Sequence, residues 1–154
     1  MIDPISIVQT EAQPAAVIRF TIPREQIQEV MGPAMQEVIG IASAQGIGPA
    51  GPVFSHHFIM SPDTFDFEVG VPVSAPVQPE GRVYAGELPA AKVVRTFYTG
   101  PYEGLGQAWG QFMEVLGKEG LPLAGSFWER YVDGPHNTQD PAAYRTELNC
   151  PLSA

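Results

Sequence analysis

An internal repeat runs through the whole chain and constrains its fold more than any single motif. Matching strings occur in the same order in both halves: Ala15–Arg19 and Ala91–Arg95, Gln45–Ile47 and Glu119–Leu121, Ala50–Gly51 and Ala124–Gly125, and Gly70–Val73 and Asn149–Leu152. A repeat of this length indicates a duplicated supersecondary unit. We therefore predict a single domain over residues 1–154, with pseudo-repeat 1 at about 3–76 and pseudo-repeat 2 at about 80–152.

Each half contains one helical pattern among short strand patterns. Apolar residues at helical spacing predict one helix between Ile27 and Ile41, which is either kinked at Gly32-Pro33 or begins at Pro33, and another between Leu105 and Leu116 that ends at Gly120. Runs of β-branched and aromatic residues predict the strands Ile5–Gln9, Ala15–Ile22, Val53–Met60, Phe65–Val73, Arg82–Leu88, Ala91–Tyr98, Phe127–Val132 and Tyr144–Cys150. The repeating unit is therefore β-α-β-β.

The single helix of each half can cover only one face of its strands. We therefore predict an α+β fold in which the duplicated units form one curved antiparallel sheet. Both helices lie on one face, and a ligand cleft lies on the other face at the junction of the repeats, where ligands tend to bind.

The strand Phe127–Val132 carries the strongest candidate for a functional residue. Because side chains alternate along a strand, Phe127, Glu129 and Tyr131 share one face, opposite Trp128 and Arg130. A carboxylate buried between two rings without a partner costs free energy or becomes protonated. Either a cation of the chain pairs with it, or a ligand supplies one. The alternative is a solvated glutamate on an edge strand, paired with Arg145 or Arg95.

Charge and motifs restrict the partners and cofactors. The formal net charge is −9 and the eight Lys and Arg residues are scattered, so a nucleic-acid-binding face is not expected, whereas cationic small molecules would be attracted. The chain shows no membrane span, signal peptide or phosphate-binding loop, so we expect a cytoplasmic protein without a cofactor. His56 and His57 point to opposite faces of a strand and cannot chelate together, so no metal site with His136 is expected.

Several motifs in the second half together resemble the GyrI-like (gyrase-inhibitor-like) family. They are Phe97–Tyr102, a helix ending near Gly120-Leu121-Pro122, the aromatic strand around Glu129, and Glu147–Leu152. The resemblance covers essentially the whole chain. It implies a domain like the effector-binding domains of bacterial multidrug-sensing transcription activators, or a related stand-alone protein that lacks a DNA-binding segment.

The resemblance also implies a pocket lined by aromatic rings around one glutamate that pairs with lipophilic cations. Glu129 occupies that position, and the ligand-binding residues implied with it are Phe127, Tyr131, Tyr144, Tyr98 or Tyr102, His57 and Trp109, although Trp109 also fits the core. In the repeat, Ser55 matches Glu129 and His57 matches Tyr131. This departure means that a strictly cationic specificity is not implied.

Three functions remain open at this point. The first is binding of amphipathic or aromatic, in some cases cationic, small molecules for sensing or sequestration, with a separate regulator protein as partner. The second is hydrolysis of strained cyclopropane-bearing toxins, with Glu129 as base and Tyr131, His57 or Tyr144 as proton donor. The third is a protein-interaction module of the gyrase-inhibitor type, which would show a sizeable exposed apolar patch.

Overall fold

Eight strands form one antiparallel sheet that carries two helices. The computed structural model describes residues 2–60, 63–135 and 137–153, without the side chains of Gln28, Ile59 and Met60. The strands are β1 Ser6–Gln9, β2 Gln13–Pro23, β3 Phe54–Met60, β4 Thr64–Pro72, β5 Tyr84–Leu88, β6 Lys92–Thr99, β7 Phe127–Asp133 and β8 Arg145–Pro151. The helices are α1 Ile27–Ala44 and α2 Leu105–Glu119.

The predicted α+β class is confirmed, with one antiparallel sheet and two helices. Helix α1 runs continuously through Pro33 and therefore does not begin there. Helix α1 lies between β2 and β3 in the chain, just as α2 lies between β6 and β7. The boundaries of the two pseudo-repeats stay a prediction.

Local sequence accounts for helix α2 and its end. Ala108, Phe112 and Leu116 recur at helical spacing and are buried, so one stripe of the helix faces the sheet. Burial of a side chain such as Phe112 or Leu116 contributes about 1.5–3 kcal/mol. The helix ends at Gly120, whose φ of 66° lies in the left-handed region that glycine adopts without steric cost.

The sheet is strongly curled. Its strand order is β1-β6-β8-β7-β3-β4-β2-β5, so β1 is the first strand and β2 the seventh. In a flat sheet these two strands would lie about 29 Å apart, at about 4.8 Å per strand. The connection from Gln9 to Gln13 spans at most about 14 Å. The two edges of the sheet must therefore approach each other.

The two faces of the sheet have different cores. The inner face, turned away from the helices, is filled by a single apolar cluster with members from both ends of the sheet: Ala15, Val17, Phe54, Leu88, Val93 and Trp128. The outer face carries the helices over two separate clusters, one that includes Ala34 and Val38 of α1 and one that includes Phe112 and Leu116 of α2. The outer face is thus divided at the middle of the sheet, where β3 pairs with β7.

Candidate functional site

Glu129 lies on the outer face, at the β3–β7 pair that joins the two halves of the sheet. It is aligned with Ser55 on β3 and with Leu148 on β8, and Leu148 belongs to the core under α2. The prediction that the cleft of Glu129 lies on the helix-free face is therefore wrong. Each helix covers its own half of the sheet, and the residues between the helices form the candidate site.

Two donors hold the carboxylate of Glu129. The indole Nε1–H of Trp109 on α2 donates to Oε2, and the hydroxyl of Tyr131 donates to Oε1 at 2.7 Å. The Tyr131 oxygen also lies 2.8 Å from Ser55 Oγ, which lies 3.2 Å from His57 Nε2. A continuous chain of hydrogen bonds therefore connects the imidazole of the first half with the carboxylate of the second.

Burial changes the pKa values of Glu129 and Tyr131 in this hydrogen-bond chain. Desolvation raises the pKa of Glu129 above its usual value, and the hydrogen bonds from Trp109, Tyr131 and Ser55 oppose that rise. Desolvation, followed by the charge of Glu129, raises the pKa of Tyr131 well above its usual value. We therefore expect the Tyr131 phenol to be neutral and the ionised form of Glu129 to be energetically costly.

Glu129 has no cationic partner among residues 2–60, 63–135 and 137–153. Arg95 pairs with Glu147 at 3.2 Å, and Arg145 lies 4.0 Å from Asp133. Strand β7 lies inside the sheet, between β8 and β3. The alternative of a solvated edge-strand glutamate paired with Arg95 or Arg145 is therefore wrong.

Aromatic rings line the site on the side of β3. The imidazole of His57 stacks between Phe67 and Phe127, with ring centroids 4.9 and 4.6 Å away, and the ring of Trp109 lies 4.6 Å from Phe127. Desolvation, with smaller effects from the charges of His56 and Arg24, lowers the pKa of His57 to about 4. The imidazole is therefore neutral near pH 7, and its Nδ1 has no hydrogen-bond partner among the described residues.

A second group of rings lies around Tyr131, the residue that donates to Oε1 of Glu129. The Tyr102 ring lies 6.0 Å from Tyr131 and 5.0 Å from Tyr144. Tyr102 is 38 % exposed and begins the short 3₁₀ turn Tyr102–Gly104 before α2. Because this turn is at the surface, Tyr102 stands between solvent and Tyr131.

The structure does not bring Tyr98 to this group. Its hydroxyl donates to the carbonyl of Pro101 at 2.7 Å, and its ring is buried in the core under α2. Tyr98 also lines a surface cavity of about 320 Å³ with Gly104 and Gln107. The other predicted ligand-binding residues are connected to Glu129 by hydrogen bonds or by ring contacts with the hydrogen-bonded residues: Phe127, Tyr131, Tyr144, Tyr102, His57 and Trp109.

Ser55 is the one member of the hydrogen-bond chain that was not predicted as a site residue. It is fully buried and connects Tyr131 with His57. The available signal was the predicted repeat, in which Ser55 matches Glu129, and the two residues are paired in the sheet. Within the described ranges, no group of three or more His, Cys, Asp or Glu residues could hold a metal ion. His136 lies outside the described residues. No helix in the described part of the chain has the length and apolar character needed to cross a bilayer.

The family comparison matches residues 3–153 to a model described as the GyrI-like small molecule binding domain. A comparison with curated protein sequences finds no significant match. The sequence match therefore spans the same residues that form the sheet, both helices and the candidate site.

Solved structures with the same fold include regulators and a ligand complex. The chain is 22% identical to the C-terminal domain of EcmrR, with a TM-score of 0.79, and covers 97% of both chains. It spans 57% of the EcmrR chain in a complex with DNA. SAV2435 bound to tetraphenylphosphonium is 14% identical with a TM-score of 0.73, covering 99% of this chain and 95% of that one. A hydrolase from Listeria innocua is 12% identical with a TM-score of 0.60, covering 97% and 91%.

Proposed function

The chain belongs to the family of GyrI-like small molecule binding domains, and from that premise we propose that it binds amphipathic or aromatic molecules, lipophilic cations among them, between its two helices, with Glu129 as the polar anchor. The observation that carries the proposal is the carboxylate of Glu129. It is desolvated and hydrogen-bonded, yet no cation of the described residues pairs with it. A ligand cation would supply the missing charge.

Electrostatics favour a positive ligand at this position. The raised pKa of Glu129 reflects the cost of an unpaired charge in a desolvated site. A cation beside the carboxylate lowers that cost and favours the ionised form. Cation affinity should therefore rise with pH through the pKa of Glu129. The formal net charge of −9 also raises the local concentration of cations.

The rings around Glu129 suit a ligand with flat apolar groups. Tyr102, Tyr131 and Tyr144 form one group, and Trp109 and Phe127 form another. Aromatic faces attract cations by about 0.5–2 kcal/mol each, more when water is excluded. We expect the ring of Tyr102, the exposed member, to move when a ligand reaches the carboxylate.

The experiment that tests this function compares tetraphenylphosphonium with neutral triphenylphosphine oxide by calorimetric titration and thermal shift. For Glu129→Gln we expect cation affinity to fall about 10- to 100-fold, the loss of one charged hydrogen-bonded contact. Affinity for the neutral oxide should change less than about threefold. Cation affinity in the wild-type protein should increase with pH, and that dependence should disappear in Glu129→Gln.

Glu103→Gln is the matched control, because it removes the same charge from an exposed position next to Tyr102. It should leave the affinities for both compounds nearly unchanged, since an exposed charge is screened by water and salt. Equal losses in Glu129→Gln and Glu103→Gln would show that only the overall charge matters. Unchanged affinities in Glu129→Gln would remove the anchor role.

A second candidate function is hydrolysis, and the hydrogen-bond chain from His57 through Ser55 and Tyr131 to Glu129 favours it. In the ring opening of a cyclopropane-bearing electrophile, a water oxygen bonds to a ring carbon as a ring C–C bond breaks. Glu129 takes the proton of the water, and the Tyr131 hydroxyl protonates the leaving atom. The proton on Glu129 can then pass along their hydrogen bond to Tyr131, which restores both groups. Tyr144 and His57 are the alternative donors.

Mass spectrometry separates hydrolysis from binding. An enzyme should convert a cyclopropane-bearing electrophile to a product heavier by one water, with ¹⁸O incorporated from labelled solvent. Both Glu129→Gln and Tyr131→Phe should abolish this turnover. A compound that stabilises the protein and remains unchanged in mass identifies a binding module.

The protein-interaction alternative has less support. The exposed large apolar residues within the described ranges are Ile7, Tyr84 and Tyr102, which lie on or beside different elements at β1, β5 and the start of α2. Their distribution over three elements does not favour the sizeable apolar patch that such a module needs. A separate cytoplasmic regulator that recognises the ligand-bound domain is the partner that fits a sensing role.

A further inference from the structure

A second cavity lies on the inner face of the sheet, on the side opposite Glu129. Its volume is about 450 Å³, and its lining includes Thr10 and Gln13 of the β1–β2 connection and strand start, Arg95 of β6, and Trp128 and Arg130 of β7. The cavity therefore lies between the β1–β2 connection and strands β6 and β7 of the sheet.

Two arginines meet one buried carboxylate at this cavity. Arg130 Nη1 donates to both oxygens of Glu147 at 3.1 Å, and Arg95 Nη2 lies 3.2 Å from Oε1. Arg95 Nε also donates to Asn149 Oδ1 at 2.7 Å, and the Asn149 amide donates to Glu147. The Glu147 side chain is only 4 % exposed, whereas those of Arg95 and Arg130 are 21 % and 29 % exposed.

The group of Arg95, Arg130 and Glu147 carries a net charge of one positive unit. Glu147 supplies one negative charge against two guanidinium groups, and Asn149 is neutral. Among the described residues, these bonds leave Nη1 of Arg95 and both Nε and Nη2 of Arg130 without a partner. Glu11 is the one acidic residue in the lining, and it is exposed on the β1–β2 connection, where water screens its charge.

The rest of the lining is mixed, with polar side chains from Gln9, Thr10 and Gln13 and an apolar part. Trp128, Leu88, Pro89 and Pro72 contribute to it. Guanidinium groups bind carboxylates through paired N–H donors. We propose that this inner cavity is a second ligand site, which binds a small organic anion whose carboxylate contacts Arg95 and Arg130 while its flat apolar group lies beside Trp128.

The two tryptophans of the chain make the two sites separable. Trp109 donates to Glu129 on the outer face, and Trp128 lines the inner cavity. In protein labelled with ¹⁵N-tryptophan, each indole N–H gives one peak, and Trp109→Phe assigns them. Sodium benzoate and neutral benzamide serve as probes of equal size. Benzoate should shift the Trp128 peak to saturation, and benzamide should not.

The matched variants are Arg130→Lys and Arg145→Lys. Arg130→Lys keeps a positive charge for Glu147 but loses the free guanidinium donors, so benzoate affinity should fall at least about 10-fold. Arg145 lies outside the cavity lining and pairs with Asp133, so Arg145→Lys should change affinity less than about twofold. Arg95→Lys replaces Arg130→Lys if the latter does not fold.

Three results would overturn the second site: a Trp128 peak that benzoate leaves in place, an equal shift with benzamide, or equal affinities in Arg130→Lys and Arg145→Lys. The comparison of benzoate with benzamide uses the wild-type protein and needs Trp109→Phe only to assign the two peaks. Failure here leaves the function of Glu129 untouched, because tetraphenylphosphonium is expected to shift the Trp109 peak instead.

Discussion

At the scale of single residues, Glu129 experiences two opposing effects. Desolvation favours the neutral acid, whereas the N–H of Trp109 and the O–H of Tyr131 favour the carboxylate. Desolvation is the larger effect, so the pKa is raised. A group in this state responds to a nearby cation more than an exposed glutamate does, because the cation offsets a cost that is already present.

The raised pKa predicts a pH dependence of stability. The folded state holds a proton on Glu129 at pH values where the unfolded chain has lost it, so the contribution of Glu129 to the free energy of unfolding falls as pH rises above about 4.5. In Glu129→Gln this contribution is absent. Urea unfolding of both proteins from pH 4 to 8 should give a stability difference that shifts in favour of Glu129→Gln as pH rises. A constant difference would contradict the raised pKa.

At the scale of elements, the start of α2 connects the core with the candidate site. Gly104 precedes the helix, and a Cβ at this position would clash with the Tyr98 hydroxyl. That hydroxyl donates to Pro101 at 2.7 Å. Tyr102 lies between Pro101 and Gly104 in the sequence, and its ring contacts those of Tyr131 and Tyr144. The packing of Tyr98 against Gly104 therefore holds the turn that carries Tyr102.

Gly104→Ala should destabilise the protein by about 1–3 kcal/mol, because the added methyl group displaces the Tyr98 ring or the turn. Tyr98→Phe alone should cost about 1 kcal/mol for its lost hydrogen bond. Since Tyr98→Phe removes the nearest of the clashing atoms, the double variant should be less destabilised than the sum of the two changes. Denaturant unfolding of all four proteins measures the coupling. Strict additivity would show that Gly104 is not constrained by Tyr98.

At the scale of the whole molecule, the β3–β7 pair joins the two half-sheets and buries a histidine on each face. His57 stacks between Phe67 and Phe127 on the outer face, and His56 lies beside Trp128 on the inner face. Desolvation lowers both pKa values to about 4. Protonation of either ring therefore opposes the packing that holds the halves together.

Acid should destabilise the protein in a defined range. Below about pH 6.5 the histidines of the unfolded chain become protonated, whereas His56 and His57 of the folded state stay neutral until about pH 4. The free energy of unfolding is therefore highest above pH 6.5 and falls as pH decreases toward 4. A shift of this size corresponds to about 3 kcal/mol per histidine. His57→Phe preserves the stacking and should lose about half of this dependence in thermal unfolding from pH 7 to 4. An unchanged dependence would contradict burial of a neutral His57.

The elements of the fold were predictable because their causes are local. Helical spacing from Leu105 to Leu116 and the stop at Gly120 depend on neighbours within a few residues. Strand alternation placed Phe127, Glu129 and Tyr131 on one face. Both the α+β class and the family resemblance followed from the order of these patterns. The repeat itself remains an interpretation of the sequence.

The sequence by itself therefore determined the strands, the helices and a glutamate among aromatic rings. Only the tertiary structure decided which face of the sheet Glu129 occupies, that Trp109 and Tyr131 hold its carboxylate, and that Arg95 and Arg130 meet at Glu147. These contacts join strands and helices far apart in the chain. They depend on strand register and on the curl of the sheet, which arise from packing of the whole molecule and leave no local pattern in the sequence.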